Sequence, residues 1–337
     1  MSRGTSGHGR SRQATADPYT PDFSPLFCTF SMNSVASTDS TPNADDFNAP
    51  GNWRLAALDA LRECNPAAKA EAVCALQALA QAGMSCGAPN WEPKRELDAP
   101  AGLPGRPDRP ELVDPRQLRR RSMSTPQGRA VLLHALAHIE FNAINLALDA
   151  VWRFAGMPET FYADWLTVAA EEAYHFSLLN ARLADYGHAY GDFPAHNGLW
   201  EMCERTRDDV LARMALVPRV LEARGLDVAP PIRARLKQAG DDESAAVLDV
   251  ILRDEVGHVR IGNRWFRHLC DVRGLDPHAA WLALAEQYRA PRMRGPFNFE
   301  ARRSAGFDDT ELETLAAQDA SGDAADEGSR TGDGSEK

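Results

Sequence analysis

The sequence predicts an all-α protein whose central part is a four-helix bundle. Apolar residues recur at the 3.6-residue period of a helix along four long segments between residues 126 and 272. Thr125 and Pro126 are a helix start signal, with threonine as N-cap and proline at the first helical position. Short to middling connections between long helices are typical of a bundle.

Glycine and proline mark where these helices are expected to end. The four long helices are predicted at residues 126–154, 159–186, 199–224 and 241–272. A short helix is predicted from Pro230 to Gln238, and a further one at 277–290. Pro218 lies inside the third long helix and should kink it, because proline removes a backbone hydrogen bond.

The chain divides into five predicted parts according to composition and periodicity. These are a disordered N-terminal tail (1–48), a helical extension with a Pro/Arg-rich wrapping segment (49–125), the bundle (126–290), a C-terminal extension (291–316) and a disordered acidic tail (317–337). Within the extension, helices are expected at 53–63 and 66–82. Either Met1 or Met32 fits as the start of the chain.

Composition indicates a soluble cytoplasmic protein. No apolar run approaches the roughly 20 residues that span a bilayer, and no secretory signal is present, so no membrane is expected as a partner. Six scattered cysteines without a metal-type spacing suggest reduced thiols. The net charge of −11 argues against a broad nucleic-acid surface.

Two Glu-x-x-His motifs carry the chemistry, Glu172 with His175 and Glu255 with His258. Three residues are nearly one helical turn, so both side chains of a motif leave the same face of the helix. Both motifs fall in the apolar stripe of their helix, where an unpaired charge would be costly. This placement favours metal binding over chance spacing.

The other two long helices supply single carboxylates. Glu140 lies in the apolar stripe of the first helix, and Glu222 is the candidate on the third, with Asp208 and Asp209 as the fallback. The order Glu, Glu-x-x-His, Glu, Glu-x-x-His matches the ligand scheme of di-iron and di-manganese bundles. Two iron ions are therefore the expected cofactor, with manganese as the alternative. Buried Glu–His ion pairs without metal are the competing interpretation.

Several neighbours of these motifs need separate interpretations. Asp254 either accepts an N–H from a ligand histidine on another helix or is solvent-exposed, whereas Glu171 is expected to face solvent. Tyr174 lies between two ligands, but packing is its expected role. His134 and His138 face away from Glu140 and are expected to be structural.

Several strings of residues resemble an uncharacterised bacterial ferritin-like family, domain of unknown function four-five-five. The strings are residues 105–107, 133–140, 164–165, 190–193, 199–201, 213–219, 222–227 and 254–258, and the resemblance covers roughly residues 52 to 315. It implies a ferritin-like bundle and strengthens Glu222 as the fourth carboxylate. A more distant likeness, limited to the ligand scheme, is to tRNA-hydroxylating di-iron enzymes, which leaves an RNA substrate open.

The sequence therefore predicts a di-iron oxidoreductase that activates O2 or peroxide, with an unidentified substrate and an electron donor as partners. A ferroxidase or other iron-handling protein and a metal-free helical interaction module are the alternatives. Oxidation of a substrate is favoured over storage because a storage subunit needs neither the N-terminal extension nor the wrapping segment. The pattern specifies no catalytic residue beyond the ligands and no oligomeric state.

Overall fold

The computed structural model describes residues 51–86, 90–118 and 121–330. Within these residues the fold is all-α, as predicted, and the β-type pairing is an isolated bridge between Leu112 and Ala195. The helices are α1 (Trp53–Arg62), α2 (Pro66–Cys86), α3 (Pro126–Arg153), α4 (Glu159–Asp185), α5 (Gly198–Arg205), α6 (Val210–Leu216), α7 (Ala223–Gln238), α8 (Asp242–Arg273), α9 (Pro277–Gln287), α10 (Phe299–Ser304) and α11 (Asp309–Arg330). The predicted tail at residues 1–48 lies outside the described residues.

Long helices packed side by side form the centre of the fold. Helix α3 runs along α4, α7 runs along α8, and α4 also packs against α8. Local signals set the ends of these helices: the Thr125 side chain accepts from Gly128 N at 3.1 Å, and Gly274 ends α8 in the left-handed region at φ 64°. The predicted bounds of the first, second and fourth long helices agree to within one residue.

The third long helix differs from its prediction. Two helices, α5 and α6, replace its first half, because Asp209 caps a new helix by accepting from Leu211 N at 3.0 Å. A π-helical segment, Val217–Glu222, then leads into α7. The predicted end at Gly225 is wrong, and so is the separate helix at Pro230, since α7 continues through both to Gln238. Helix α7 continues through Gly225 and Pro230, which locally disfavour a helix, because Leu226 and Leu236 are buried in the core.

The π segment lies close against α8 at one glycine. A Cβ atom added to Gly262 would lie 2.4 Å from Pro218 Cβ, so only glycine permits this approach. Proline in a helix forfeits a backbone hydrogen bond, and a π-turn is a common way to accommodate the irregularity. Pro218 and Gly262 together set the position of the segment that ends at Glu222.

The N-terminal extension packs on the bundle through a buried lysine. Helix α1 contacts α3, and α2 contacts α4. The Lys69 ammonium group donates to Leu61 O at 3.1 Å, to Gly105 O at 2.9 Å and to Asn145 Oδ1. It therefore joins the extension, the wrapping segment and α3 at one point.

The C-terminal part is more helical than predicted. Helix α11 covers residues 309–330, so the expected disordered tail is helical up to Arg330. Leu312 and Leu315 are buried against the core, and several alanines follow them. Packing at the start of the helix and the high helix propensity of alanine explain the difference.

Helix α3 is long and apolar enough to cross a membrane by composition, contrary to the sequence-based expectation. Most of its length is buried by other helices of the described fold, and it carries the buried polar residues Glu140, Asn145 and Asp149. It is therefore the central helix of the bundle.

Candidate metal centre

Six side chains from four helical segments meet in the interior. Glu140 comes from α3, Glu222 from the end of the π segment, and a Glu–His pair from each of α4 and α8. Two groups have ligand atoms close enough to hold a metal ion, one formed by Glu140, Glu172 and His175 and the other by Glu172, Glu255 and His258. Glu172 belongs to both groups and links them.

The spacing of the ligand atoms fits shared coordination. His175 Nδ1 lies 3.4 Å from Oε2 of both Glu140 and Glu172. His258 Nδ1 lies 3.0 Å from Glu172 Oε1 and 3.9 Å from Glu255 Oε2. Two adjacent ligand atoms on one octahedral ion, each about 2.1 Å from it, lie about 3 Å apart.

Many polar atoms here are buried without a hydrogen-bond partner among the described residues. These atoms are Glu140 Oε2, Glu172 Oε1, Glu222 Oε2, Glu255 Oε2 and His258 Nδ1. The 3.0 Å contact between His258 Nδ1 and Glu172 Oε1 is an ion pair that lacks hydrogen-bond geometry. Unpaired buried polar atoms are rare and costly, which makes a cation their natural partner.

Each imidazole is oriented by a carboxylate on the opposite helix. His175 Nε2 lies 3.1 Å from Asp254 Oδ2, and His258 Nε2 lies 2.7 Å from Glu171 Oε2. An ionised carboxylate can only accept, so Nε2 donates in both pairs and Nδ1 faces the cluster. Glu171 thus has a partner within the protein instead of facing solvent, because α8 brings His258 across from it.

Burial and crowding perturb the acid–base behaviour of the cluster. Burial, together with the nearby Glu172 charge, raises the pKa of Glu140 and of Glu222 to about 8, and raises that of Glu255 well above its usual value. Burial alone would raise the pKa of Glu172, but His258 and His175 lower it instead. In the metal-free protein, one ionised glutamate therefore lies among protonated ones.

The surrounding carboxylates also act on the imidazoles. Burial alone would lower the pKa of His175 and of His258, yet their carboxylate partners raise both pKa values well above the usual range. The pKa of Asp254 is lowered to about 2: burial opposes the shift, but His175 and Arg253 outweigh it. The metal-free site balances its charges by ion pairing.

The remaining sequence candidates lie away from the cluster or pack at its edge. Asp209 caps α6, and Asp208 is exposed beside Arg207, so neither replaces Glu222. Tyr174 is half-buried, with its ring 6.4 Å from that of His175. His134 accepts from Gly191 N at 2.9 Å, and His138 lies 2.8 Å from Tyr190 Oη. Both histidines are structural, as predicted.

Gly262 is the residue near the centre that sequence reasoning did not single out. It does not touch the cluster, but it admits Pro218 and thereby positions the segment that carries Glu222. A glycine inside a long helix is unfavourable by about 1 kcal/mol relative to alanine. A glycine at this position, one helical turn after His258, therefore indicates that another segment of the chain approaches the helix closely there.

Comparison with known proteins places the chain in a family. A family model described as "Protein of unknown function (DUF455)" matches residues 62–313. The chain belongs to this family. Among its similar proteins is an "Uncharacterized protein" of Haemophilus influenzae (strain ATCC 51907 / DSM 11121 / KW20 / Rd), 50% identical over 216 residues, which are 62% of this chain and 75% of that protein. No solved structure matches the chain.

The DUF455 match includes the whole candidate centre. All six side chains and both orienting acids, Asp254 and Glu171, lie within residues 62–313. The family resemblance predicted from the sequence is therefore confirmed. Its description names no reaction, so function has to be argued from the site.

Proposed function

We propose that this protein is a ferritin-like di-iron carboxylate oxidoreductase that uses O2 or peroxide to oxidise a substrate. The observation that carries the proposal is the meeting of two buried groups of potential ligand atoms that share Glu172, together with five buried oxygen and nitrogen atoms that lack a hydrogen-bond partner among the described residues. A core that served stability alone would satisfy such atoms with hydrogen bonds, because each buried polar group that lacks one costs about 1–3 kcal/mol. Oxygen and nitrogen ligands without sulfur suit iron or manganese.

Each side chain has a role in this proposal. Glu140 and His175 would hold one ion, Glu255 and His258 the other, and Glu172 would be shared because it belongs to both groups. Glu222 would complete the set from the π segment. When bound, two iron ions supply the electrons that reduce O2 or peroxide.

The chain's own residues prepare the site for those ions. Asp254 and Glu171 hold the protons on Nε2, so Nδ1 is the atom of each imidazole that faces the cluster and gives up its proton when an ion binds. The raised pKa values of Glu140 and Glu222, about 8, mean that loading displaces protons from these carboxyl groups. Ile144, Val168 and Val259 lie within one helical turn of a ligand candidate on the same helix, and all three are buried.

Metal analysis combined with oxygen reactivity tests the proposal. Purified protein would be loaded anaerobically with Fe(II), analysed for bound iron, and followed by absorbance after exposure to O2. We expect two irons per chain, and Glu172→Ala and Glu255→Ala should each lower that number. Glu204→Ala, an exposed change on α5, is the control and should bind iron normally.

The outcomes separate the alternatives. Iron well below two per chain in the wild type, unaltered by the two ligand substitutions, would contradict a di-iron centre and favour a metal-free helical module. Repeated oxidation of added Fe(II), far beyond two ions per chain, would instead identify a ferroxidase.

A further inference from the structure

A half-exposed apolar stripe runs along α3 next to Glu140. Its members are Val131, Leu132, Ala135, Leu136 and Ile139. Ile139 is 43% exposed, although most of α3 is buried. No charged side chain interrupts the stripe between residues 131 and 139. A contiguous apolar patch that is left partly exposed is a feature of many binding sites.

A second stripe of the same kind lies on α7 next to Glu222. It consists of Leu221, Gly225, Val228 and Ile232, which are spaced at helical intervals and are all partly exposed. The charged neighbours on α7 are occupied elsewhere: Arg224 donates to Arg294 O at 2.6 Å, and Arg233 pairs with Asp249. Each single carboxylate of the centre thus has an apolar stripe beside it.

The register of the helices places the two stripes at the same level of the bundle. Asp149 on α3 pairs with Arg213 on α6 at 2.5 Å. Glu140 is nine residues before Asp149 (149 − 140 = 9), and Glu222 is nine residues after Arg213 (222 − 213 = 9). The chain from α6 to α7 therefore runs antiparallel to α3. Continuing the register brings Leu132 and Leu136 level with the α7 stripe.

Among the described residues, α3 and α7 are not packed closely against each other. Near Asp149, helix α5 contacts both α3 and the π segment and fills the gap. Beyond Glu222, α7 packs on α8 but not closely on α3. The α3 and α7 stripes thus border the gap between these two helices, which we name the α3–α7 groove, with Glu140 beside one stripe and Glu222 beside the other.

Gly225 lies where this groove meets the cluster. A Cβ atom added there would lie 3.9 Å from the carboxyl carbon of Glu255 and would meet no other atom of a neighbouring element within 4 Å. Gly225 is partly exposed, whereas Glu255 is 7% exposed. Its backbone is right-handed helical, so alanine would be the more stable residue. The absence of a side chain keeps the space in front of Glu255 open.

We propose that the α3–α7 groove admits the substrate and that the substrate presents an uncharged apolar group to the centre, with Gly225 as the aperture. A charged group entering this groove would lose its hydration without gaining a partner from either stripe. The inference rests on the proposed function because it assigns a substrate class to the same centre.

Extraction of bound iron by two matched chelators tests the groove. The probes are neutral 2,2′-bipyridine and its dianionic 4,4′-dicarboxylate, applied to protein loaded with Fe(II). We expect the neutral chelator to remove iron at least tenfold faster, at a rate that rises with its concentration. Gly225→Leu and Ile139→Lys should each slow it at least tenfold, and the milder Gly225→Ala should slow it less.

A control variant and a metal-free readout complete the experiment. Val272 is 70% exposed on α8, and Val272→Lys should leave the extraction rate unchanged. The neutral fluorophore N-phenyl-1-naphthylamine should bind the metal-free protein once per chain, and Gly225→Leu should weaken this binding at least tenfold.

Equal rates for the two chelators, or a Gly225→Leu rate equal to that of the wild type, would overturn the groove while leaving the di-iron centre intact. Absence of iron after loading would instead overturn the proposed function, and with it the assignment of a substrate to this groove. Normal binding of the fluorophore by Gly225→Leu protein would also contradict the aperture.

Discussion

At the scale of single residues, the two helices that carry Glu-x-x-His motifs hold each other's histidines. The acid before the α4 motif, Glu171, binds His258 on α8, and the acid before the α8 motif, Asp254, binds His175 on α4. Each contact fixes the orientation of one imidazole ring. The two rings are close neighbours, with centroids 5.8 Å apart. The relative position of α4 and α8 therefore sets the direction of both Nδ1 atoms.

Replacing either orienting acid should weaken metal binding without removing a ligand. Asp254→Asn and Glu171→Gln remove the negative charge that holds each Nε2 proton, and we expect metal affinity to fall about 10- to 100-fold. Competition with a fluorescent chelator for Mn(II) measures the affinity. Asp208→Asn is the control, because Asp208 is exposed and remote. Unaltered affinity in both variants would refute the orienting role.

The Glu222 carboxyl should make the metal-free protein less stable as the pH rises. Its folded pKa of about 8 exceeds the usual value near 4.3, so the proton binds the folded state more tightly. The resulting stabilisation is complete below about pH 4 and is lost as the pH rises through about 8.

Glu222→Gln isolates this effect because glutamine stays neutral. Relative to wild type, the variant's free energy of unfolding should increase by about 2 kcal/mol between pH 5.5 and 7.5, as measured by urea denaturation of metal-free protein. A difference that does not depend on pH would show that burial does not raise this pKa.

At the scale of elements, the π segment positions Glu222 through its close approach to α8. Gly262→Ala introduces a methyl group 2.4 Å from Pro218 Cβ, so the π segment or α8 must shift. We expect a loss of about 1–3 kcal/mol in unfolding free energy, together with weaker metal binding through displaced Glu222.

Gly225→Ala is the matched control for stability, since its Cβ meets only an ordinary contact at 3.9 Å. It should keep the wild-type unfolding free energy or raise it by about 0.5–1 kcal/mol. If Gly262→Ala were as stable as Gly225→Ala and bound metal normally, the close approach of Pro218 would not matter for the centre.

The same segment shows how far the sequence predicts this molecule. Apolar periodicity and helix-end signals predict α3, α4 and α8. The spacing of Glu and His within the apolar stripes predicts which side chains face the interior. Periodicity and spacing are local properties of one helix, so the sequence reveals them. The course of the chain from residue 205 to 238 was mispredicted, since Gly225 and Pro230 signal a break locally while burial of Leu226 and Leu236 outweighs it. The partner of Glu171 depends on the contact between helices and has no local signal.

At the scale of the whole molecule, the C-terminal extension braces the centre from outside the bundle. Arg219, three residues before Glu222, is buried against the Phe266 ring at 4.1 Å and donates to Asn263 Oδ1 at 2.6 Å. It also pairs with Glu311 on α11. The π segment is thus held between α8 and a helix that begins more than eighty residues later.

Glu311→Ala should therefore affect both folding and metal binding. Removing one partner of a buried ion pair leaves an uncompensated charge, at a cost of about 3–5 kcal/mol. Because Arg219 lies on the π segment, we also expect Glu222 to move and iron occupancy to fall. Calorimetry and metal analysis of the same preparation measure the two effects. Asp309→Ala, which removes an exposed ion pair with Arg303, should change neither. Full iron occupancy in destabilised Glu311→Ala protein would show that α11 stabilises the fold without positioning Glu222.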